Sequence, residues 1–303
     1  MGIRDRVRGT LFEGILEIIQ AKKPKYFLLE NVKRIIGMEK GHHFRIILNA
    51  LASLDYFIEW RIINPINFGI PENRDRIFIF GTCIESTQNT PALEKFSVFL
   101  TDNDIESLPG NENSEIQKYM QPIMNFSSKN YNWGIAYQNQ MYSQPSPLMV
   151  DIKPRKKLKD ILQDESEINP QFDFTSDTQE RIKKSKTVNR YCNGVEILYN
   201  QGGRARLGYT IFGINGVTST LTASTSRHYE RYQVGNKFRR LTNIEYARLM
   251  GFPENWCRIA KIYHQYALYG NSVVPDCVEW ICQRIGKQNF KFKHQPWQQL
   301  TLF

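Results

Sequence analysis

Glu30 and Asn31 stand directly after a short apolar run, where their side chains could carry out acid–base chemistry. The run, residues 26–29, follows Pro24, and an apolar run of this length beside a proline predicts a buried strand. A carboxylate at the C-terminal end of such a strand lies where open α/β sheets bind their ligands. If burial raises its pKa, the Glu30 carboxyl group can donate a proton to a substrate. A Glu-Asn pair can also simply cap the next turn.

Helices and strands alternate around this pair. Apolar spacing predicts helices over 8–21 and 43–54, and the apolar segments 56–64 and 77–82 predict two strands. Such an alternation is typical of an α/β sheet domain.

The character of the sequence changes after Cys83. Residues 84–235 are predicted to form a second, irregular and mainly β region with basic segments. Regular structure returns with a Thr-capped helix in 239–253 and a Gly-Asn turn that leads into a helix in 266–286.

Composition narrows the class of protein. The 303 residues carry a formal net charge of +10, which fits a polyanionic partner such as nucleic acid and fits equally a merely basic soluble protein. The five cysteines are scattered without a CxxC pair, which favours a reducing cytoplasm and argues against a metal site. No apolar run is long enough to cross a membrane, and the N-terminus lacks the apolar segment of a secretory signal.

Four stretches, in this order, resemble motifs of the DNA cytosine-5 methyltransferases. They are the segment "PKYFLLENV" (24–32), preceded by "RGTLF" (8–12), then "FGIPENRDRIFIFG" (68–81), "RRLTNIEYARLMGFP" (239–253) and "GNSVVP" (270–275). Each stretch alone is weak, and the charged cluster in the second would by itself fit a solvated surface. Their order, with a long insert in the expected gap, makes the resemblance to this restriction–modification family specific.

The resemblance implies an α/β fold with two parts. A partial Rossmann-like methyltransferase domain would occupy 1–83 and 262–290. An irregular, mainly β target-recognition domain would occupy 84–261, with the penultimate family motif at 239–253, and 291–303 would be a C-terminal tail.

The resemblance also assigns roles in catalysis. Methylation at C5 of cytosine needs a nucleophile at C6, and the ring charge that develops is relieved by a proton at N3. Glu30 would donate that proton, Asn31 would position the site, and Arg76 would hold the O2 edge of a flipped base. Arg74, in the same motif as Arg76, is a further candidate catalytic residue.

Binding residues follow in the same way. Leu11, Asn271 and Ser272 would border the pocket for S-adenosylmethionine. The Thr220-Leu221 pair resembles a dipeptide of the family's recognition domain, and the basic, aromatic segment 226–240 suits contacts with DNA, although it also fits a charged hairpin. The candidate contacts to double-stranded DNA are Thr220, Leu221, Arg227, Arg239 and Arg240.

Two departures from the family pattern stand out. The glutamine of its Gln-x-Arg-x-Arg motif is Glu72 here, and an ionised glutamate only accepts hydrogen bonds, so Glu72 is expected to pair with Arg74. None of the five cysteines follows a proline, and no glycine-rich turn precedes residue 8. The strand that ends in Glu30 should therefore have an unpaired edge that seeks a partner.

We therefore predict a second polypeptide that carries the cofactor loop and the cysteine. Three interpretations stay open: part of a split DNA cytosine-5 methyltransferase, a non-catalytic sequence-specific DNA-binding protein, or an inactive truncated remnant. The presence of Glu30, Asn31 and Arg76 favours the first over the second. The DNA sequence that is recognised does not follow from these residues.

Overall fold

The computed structural model describes residues 3–84, 97–99, 121–122, 131–137, 140–143, 152–202, 207–223 and 230–287. Its helices are α1 (Ile3–Lys22), α2 (His42–Ala52), α3 (Ser176–Lys183), α4 (Asn243–Leu249), α5 (Ile262–Asn271) and α6 (Pro275–Lys287). Its strands are β1 (Tyr26–Val32), β2 (Tyr56–Ile63), β3 (Glu72–Asn73), β4 (Arg76–Cys83), β5 (Gln121–Pro122), β6 (Trp133–Tyr137), β7 (Gln140–Ser143), β8 (Lys186–Cys192), β9 (Val195–Asn200), β10 (Thr210–Phe212), β11 (Thr218–Ser219), β12 (Arg231–Val234) and β13 (Lys237–Arg239).

The chain packs as two compact units. Unit 1 comprises Met1–Arg61, Phe78–Pro147 and Glu279–Phe303, and unit 2 comprises Ile62–Ile77 and Leu148–Val278. The mixed helix and sheet confirm the predicted α/β class. The functional division into a catalytic and a recognition domain stays a prediction, since these units are defined by packing alone. Among the described helices, none combines the length and apolar character that a bilayer crossing requires.

Unit 1 is built on a sheet in which six described strands follow the order β1-β4-β2-β6-β7-β5. Strand β2 is interior to this order and almost continuously buried, including its two charged residues, Glu59 and Arg61. Its Trp60 packs edge-on against Phe44 of α2, with ring centroids 5.5 Å apart. Gly134 on β6 lies over the same indole, and a Cβ there would come within 2.3 Å of the Trp60 ring. Residues 131–143, from the predicted irregular region, thus pack in unit 1.

The carboxylate of Glu59 joins three parts of unit 1. Glu59 is fully buried and accepts hydrogen bonds from Ser97 Oγ at 2.6 Å, the Val98 amide at 2.7 Å and Trp133 Nε1 at 2.8 Å. Burial raises its pKa even against these donors. A buried carboxyl group with this many donors is a strong structural anchor, because removing it would leave the donors unsatisfied.

Strand β1 lies at the end of this strand order, with β4 as its neighbour in the described residues. Its edge position, predicted above, is confirmed for the part of the chain that the structure describes. The apolar residues 26–29 are only half-buried, and Tyr26 stacks on Phe80 with centroids 5.7 Å apart. The strand continues two residues beyond its predicted end at Glu30.

Unit 2 contains a described five-stranded sheet in the order β13-β12-β10-β9-β8. Strands β10 and β12 are parallel, and the remaining neighbours are antiparallel. Ile182, Ile211 and Phe238 form a buried cluster, with Phe174 and Tyr199 packed against it. The short strands β3 and β11 pair in parallel and bring residues 72–73 beside 218–219.

Helix α4 begins with the predicted threonine cap. Thr242 Oγ1 accepts a hydrogen bond from the Glu245 amide at 3.1 Å, and Glu245 Oε2 accepts one from the Thr242 amide at 2.8 Å. This reciprocal pair satisfies two amides that the first turn leaves without helical partners.

Candidate functional site

Arg74 is the centre of a buried polar cluster in unit 2. The residue is 2% exposed, and its Nη1 donates a hydrogen bond to the Leu221 carbonyl oxygen at 3.0 Å. Its Nη2 donates to the carbonyl oxygens of Gly270 and Ser272, at 2.7 and 3.0 Å. One guanidinium group therefore joins three of the motifs singled out in the sequence: the charged loop, the Thr-Leu dipeptide and the Gly-Asn-Ser turn.

The Gly-Asn-Ser turn fits closely against the segment that follows Leu221. A Cβ at Gly270 would lie 2.6 Å from the Ala223 amide nitrogen and from the Thr222 carbonyl group. Only glycine allows this approach of two backbones. Helix α5 ends at once, because Ser272 caps it: the Ser272 hydroxyl donates to the Tyr269 carbonyl oxygen at 2.7 Å.

Glu72 completes the cluster from β3. Its Oε1 accepts a hydrogen bond from the Leu221 amide at 2.8 Å and pairs with Arg74 Nη1 at 3.4 Å. The predicted Glu72–Arg74 pair is confirmed. Together the two side chains hold both the N–H and the C=O group of Leu221.

The second carboxylate oxygen of Glu72 explains how the departure from glutamine is accommodated. Glu72 is fully buried, and its Oε2 has no hydrogen-bond partner in the described structure. Burial raises the pKa of Glu72 to about 7, although the charge of Arg74 and the Leu221 amide oppose that shift. A protonated Glu72 can both donate and accept, as glutamine does.

Thr220 and Arg76 flank this cluster. Thr220 Oγ1 donates to the Asn73 carbonyl oxygen at 2.7 Å, and Asn64 Nδ2 donates to Asn73 Oδ1 and Asp75 Oδ1 at 2.9 and 3.0 Å. These bonds fix the loop between β2 and β4. Arg76 is half-buried and donates Nη1 to the Asp75 carbonyl oxygen at 3.0 Å, so part of it remains accessible.

Glu30 and Asn31 are exposed at the end of β1 in unit 1. Asn31 Oδ1 accepts a hydrogen bond from the Val32 amide at 2.8 Å. The sequence argument for an acid at Glu30 required burial, and the exposed carboxyl group does not meet that condition in this conformation.

The residues predicted to border S-adenosylmethionine do not form a complete cofactor site. Leu11 is 66% exposed on α1, and Asn271 is exposed at the end of α5. Both polar groups of Ser272 are engaged, the hydroxyl with Tyr269 and the carbonyl oxygen with Arg74. One apolar and one amide side chain are too few to bind an adenine ring, a ribose and a charged amino-acid end. Their assignment to the border of a cofactor site stays a prediction.

Arg239 and Arg240, two of the predicted DNA contacts, differ sharply in their surroundings. Arg239 is fully buried, and its Nη1 and Nη2 donate to the two carboxylate oxygens of Glu245 at 2.8 and 2.9 Å, while its Nε donates to Glu165 at 3.1 Å. A guanidinium group held in this way stabilises the start of α4, which argues against a DNA contact by Arg239. Arg227 lies outside the described residues.

Arg240 is half-buried, with its guanidinium group 5.4 Å from the centroid of the Phe172 ring. Beside it, Arg231 lies 5.7 Å from the Phe174 ring. The sequence analysis singled out neither phenylalanine nor Arg231. The sequence indicated this site only through the alternation of basic and aromatic residues in 226–240. That alternation does not predict contacts of these arginines with residues 172–174.

The fold is of the mixed α/β class, and comparison with known proteins identifies the family. A family model for C-5 cytosine-specific DNA methylases matches residues 2–287. The chain belongs to that family, and the resemblance found in the sequence is confirmed.

Individual relatives are more distant. The chain is 28% identical over 325 residues to the type II methyltransferase M.Sau3AI of Staphylococcus aureus, with 100% of this chain and 76% of the relative covered. It is 28% identical over 285 residues to the type II methyltransferase M1.ScrFI of Lactococcus lactis subsp. cremoris, covering 93% of this chain and 56% of that protein. It thus spans little more than half the length of the second relative.

A likeness among solved structures concerns the fold. The crystal structure of the S. pombe Dnmt2 methyltransferase superposes with a TM-score of 0.53 and 16% identity, covering 92% of this chain and 72% of that one.

Proposed function

We propose that this chain is part of a DNA (cytosine-5) methyltransferase that transfers a methyl group from S-adenosylmethionine to C5 of a flipped cytosine in duplex DNA. Family membership supports the reaction class. The observation that carries the proposal is the buried Arg74 cluster, because it joins three family motifs through specific hydrogen bonds. A binding protein without catalysis would not need the Glu30-Asn31 motif that the same chain carries.

Each candidate side chain has a separate task in this proposal. Glu30 donates a proton to N3 of the base, Asn31 positions that contact, and Arg76 stabilises negative charge at O2. Because Glu30 is exposed in the free chain, the flipped base itself must cover it and raise its pKa when it binds. S-adenosylmethionine supplies the methyl group when bound.

We place the nucleophile and the cofactor loop on a second polypeptide. The surface of unit 1 supports this: among the described strands β1 lies at the edge, its apolar residues are half-buried, and Leu11 and Ile18 on α1 are 66% and 63% exposed. Leu11 and Ile18 are seven residues apart and lie on one helix face. An apolar edge and an apolar face of this kind are typical of surfaces that another chain covers.

Two of the five cysteines support the same division. Burial raises the pKa of Cys277, and the neighbouring charge of Asp276 raises it further. Burial also raises the pKa of Cys282. A nucleophilic cysteine requires the opposite shift, toward the thiolate.

The test is transfer of a labelled methyl group from S-adenosylmethionine to mixed-sequence duplex DNA. The chain is assayed alone and together with the polypeptide encoded directly upstream. We expect transfer only in the mixture. Transfer by the chain alone would contradict the second polypeptide, and the lack of transfer in either sample, with DNA binding retained, would favour a non-catalytic binding protein.

A substitution then tests the acid. Glu30→Gln in the assembled enzyme should lower turnover by roughly 10²–10⁴-fold and leave DNA binding nearly unchanged. Glu17→Gln, the same change at an exposed position of α1, is the matched control. Equal turnover of the two variants would remove Glu30 from the mechanism.

A further inference from the structure

A second concave site lies in unit 2, away from the Arg74 cluster's named residues. The cavity has a volume of about 290 Å³. Its principal lining side chains are Phe172, Phe174, Thr175, Thr178, Arg231 and Arg240, and Asp173 also lines it.

The wall of this cavity is held by backbone pairing. The Arg240 amide donates to the Phe172 carbonyl oxygen at 3.0 Å, and the Phe174 amide donates to the Phe238 carbonyl oxygen at 3.1 Å. Asp173 and Arg239 form the bridge between these two bonds. The backbone that carries the two phenylalanines is therefore held in place before any ligand arrives.

One guanidinium group lies over each of those rings. Arg231 lies over Phe174 and Arg240 over Phe172, at 5.7 and 5.4 Å. Arg231 Nη1 donates to Gln201 Oε1, a neutral acceptor, at 2.8 Å. Stacking on a ring orients a guanidinium group while its N–H edge can still donate.

Positive charge accumulates at this cavity. Arg181 on α3 donates Nη2 to Thr178 Oγ1 at 3.2 Å, which places a third arginine at the rim. Burial lowers the pKa of Arg231, and the charge of Arg181 lowers it further. Against three arginines, the lining offers one carboxylate, that of Asp173.

Arg239 provides the contrast within the same strand region. Burial alone would lower the pKa of Arg239, but Glu245 and Glu165 outweigh it and the pKa is raised. The charge of Arg239 is thus balanced by two glutamates, whereas Arg231 lies near a second positive charge, that of Arg181. An anionic ligand would relieve that repulsion.

We propose that this cavity binds a backbone phosphate of duplex DNA, held by Arg231 and Arg240 with Arg181 at the rim. The inference rests on the proposed function, which makes duplex DNA the substrate. Planar guanidinium groups match phosphate oxygens in paired hydrogen bonds. The Thr178 hydroxyl, which accepts from Arg181 and Thr175, can add a neutral donor. Such a contact sets the register of the protein on DNA and carries no sequence information itself.

The experiment measures the affinity of the full chain for a mixed-sequence duplex at several salt concentrations. Arg231→Gln should reduce the slope of log K against log salt by about 1 and weaken binding uniformly across DNA sequences. Arg231→Lys retains the charge and should keep most of the slope. Arg258→Gln, the same change at an exposed position of unit 2 outside the cavity, is the matched control and should change the slope less.

Thermal unfolding of each variant verifies that it folds. An unchanged slope in folded Arg231→Gln, or an equal reduction in Arg258→Gln, would overturn the phosphate site alone. A wild-type chain that binds no DNA, either alone or assembled with the second polypeptide, would overturn the proposed function and this inference together. Binding with the expected slope change, but without methyl transfer by the assembled enzyme, would leave the phosphate site standing.

Discussion

Two groups of motif residues contrast in this chain. The Arg74 cluster in unit 2 is buried, and each of its strong contacts goes to a backbone group of another motif. The Glu30-Asn31 pair in unit 1 lies exposed at the end of an edge strand. Motif residues of one family can therefore act in two ways: the first group holds the protein together, and the second remains available for chemistry. Four predictions test this contrast.

The largest effect is expected for Arg74. Replacement by methionine removes the bonds to three carbonyl oxygens and leaves Glu72 buried without its charged partner. The free energy of unfolding should fall by about 3–5 kcal/mol, as measured by urea denaturation. Arg76→Met, at a half-buried position, should cost less than half as much. Equal losses would mean that the cluster does not depend on Arg74.

Glu72→Gln should make stability depend less steeply on pH between about pH 4.5 and 7. In the wild type, Glu72 is protonated in both the folded and the unfolded protein below about pH 4.5, the ordinary pKa of a glutamate. The folded protein keeps this proton up to about pH 7. Wild-type stability therefore falls as pH rises between these values and is level above pH 7. The variant should gain on the order of 3 kcal/mol relative to wild type across this window.

Chemical denaturation at a series of pH values measures this gain. Glu17→Gln, at an exposed position, should follow the wild-type curve. A Glu72→Gln variant whose stability changes with pH as steeply as that of the wild type would show that another group dominates this window.

Gly270→Ala should be the next largest disruption. The added Cβ would lie 2.6 Å from the backbone at Thr222 and Ala223, so the turn must move, at about 1–3 kcal/mol. Gly14→Ala in α1 meets nothing within 4 Å and should be neutral or stabilising, because alanine favours a helix. Unfolding midpoints of the pair give the comparison, and similar midpoints would argue against a tight turn at Gly270.

The smallest effect on stability belongs to Glu30. Glu30→Gln changes an exposed side chain, so the free energy of unfolding should change by less than about 0.5 kcal/mol. Differential scanning calorimetry of the chain alone measures it. A large loss would place Glu30 among the residues that hold the fold together, and a loss of turnover could then not be assigned to chemistry.

Local patterns in the sequence determined much of this protein. The alternation of apolar segments predicted the α/β class, and Thr242 predicted the start of α4, because spacing along a helix or strand and the first-turn caps depend on near neighbours in sequence. The order of the motifs identified the family. The pairing of Glu72 with Arg74 could also be predicted, since the two side chains are two residues apart.

Only the tertiary structure decided which charged side chains are held by partners within the protein. Arg74 finds its acceptors at Leu221 and Gly270, 147 and 196 positions away in sequence, and no local pattern specifies partners at that separation. Arg239 and Arg240 are adjacent in sequence, yet the first is buried on Glu245 and the second lies over Phe172. Side chains alternate along a strand, so neighbours meet different surroundings, and those surroundings exist only once distant segments have packed.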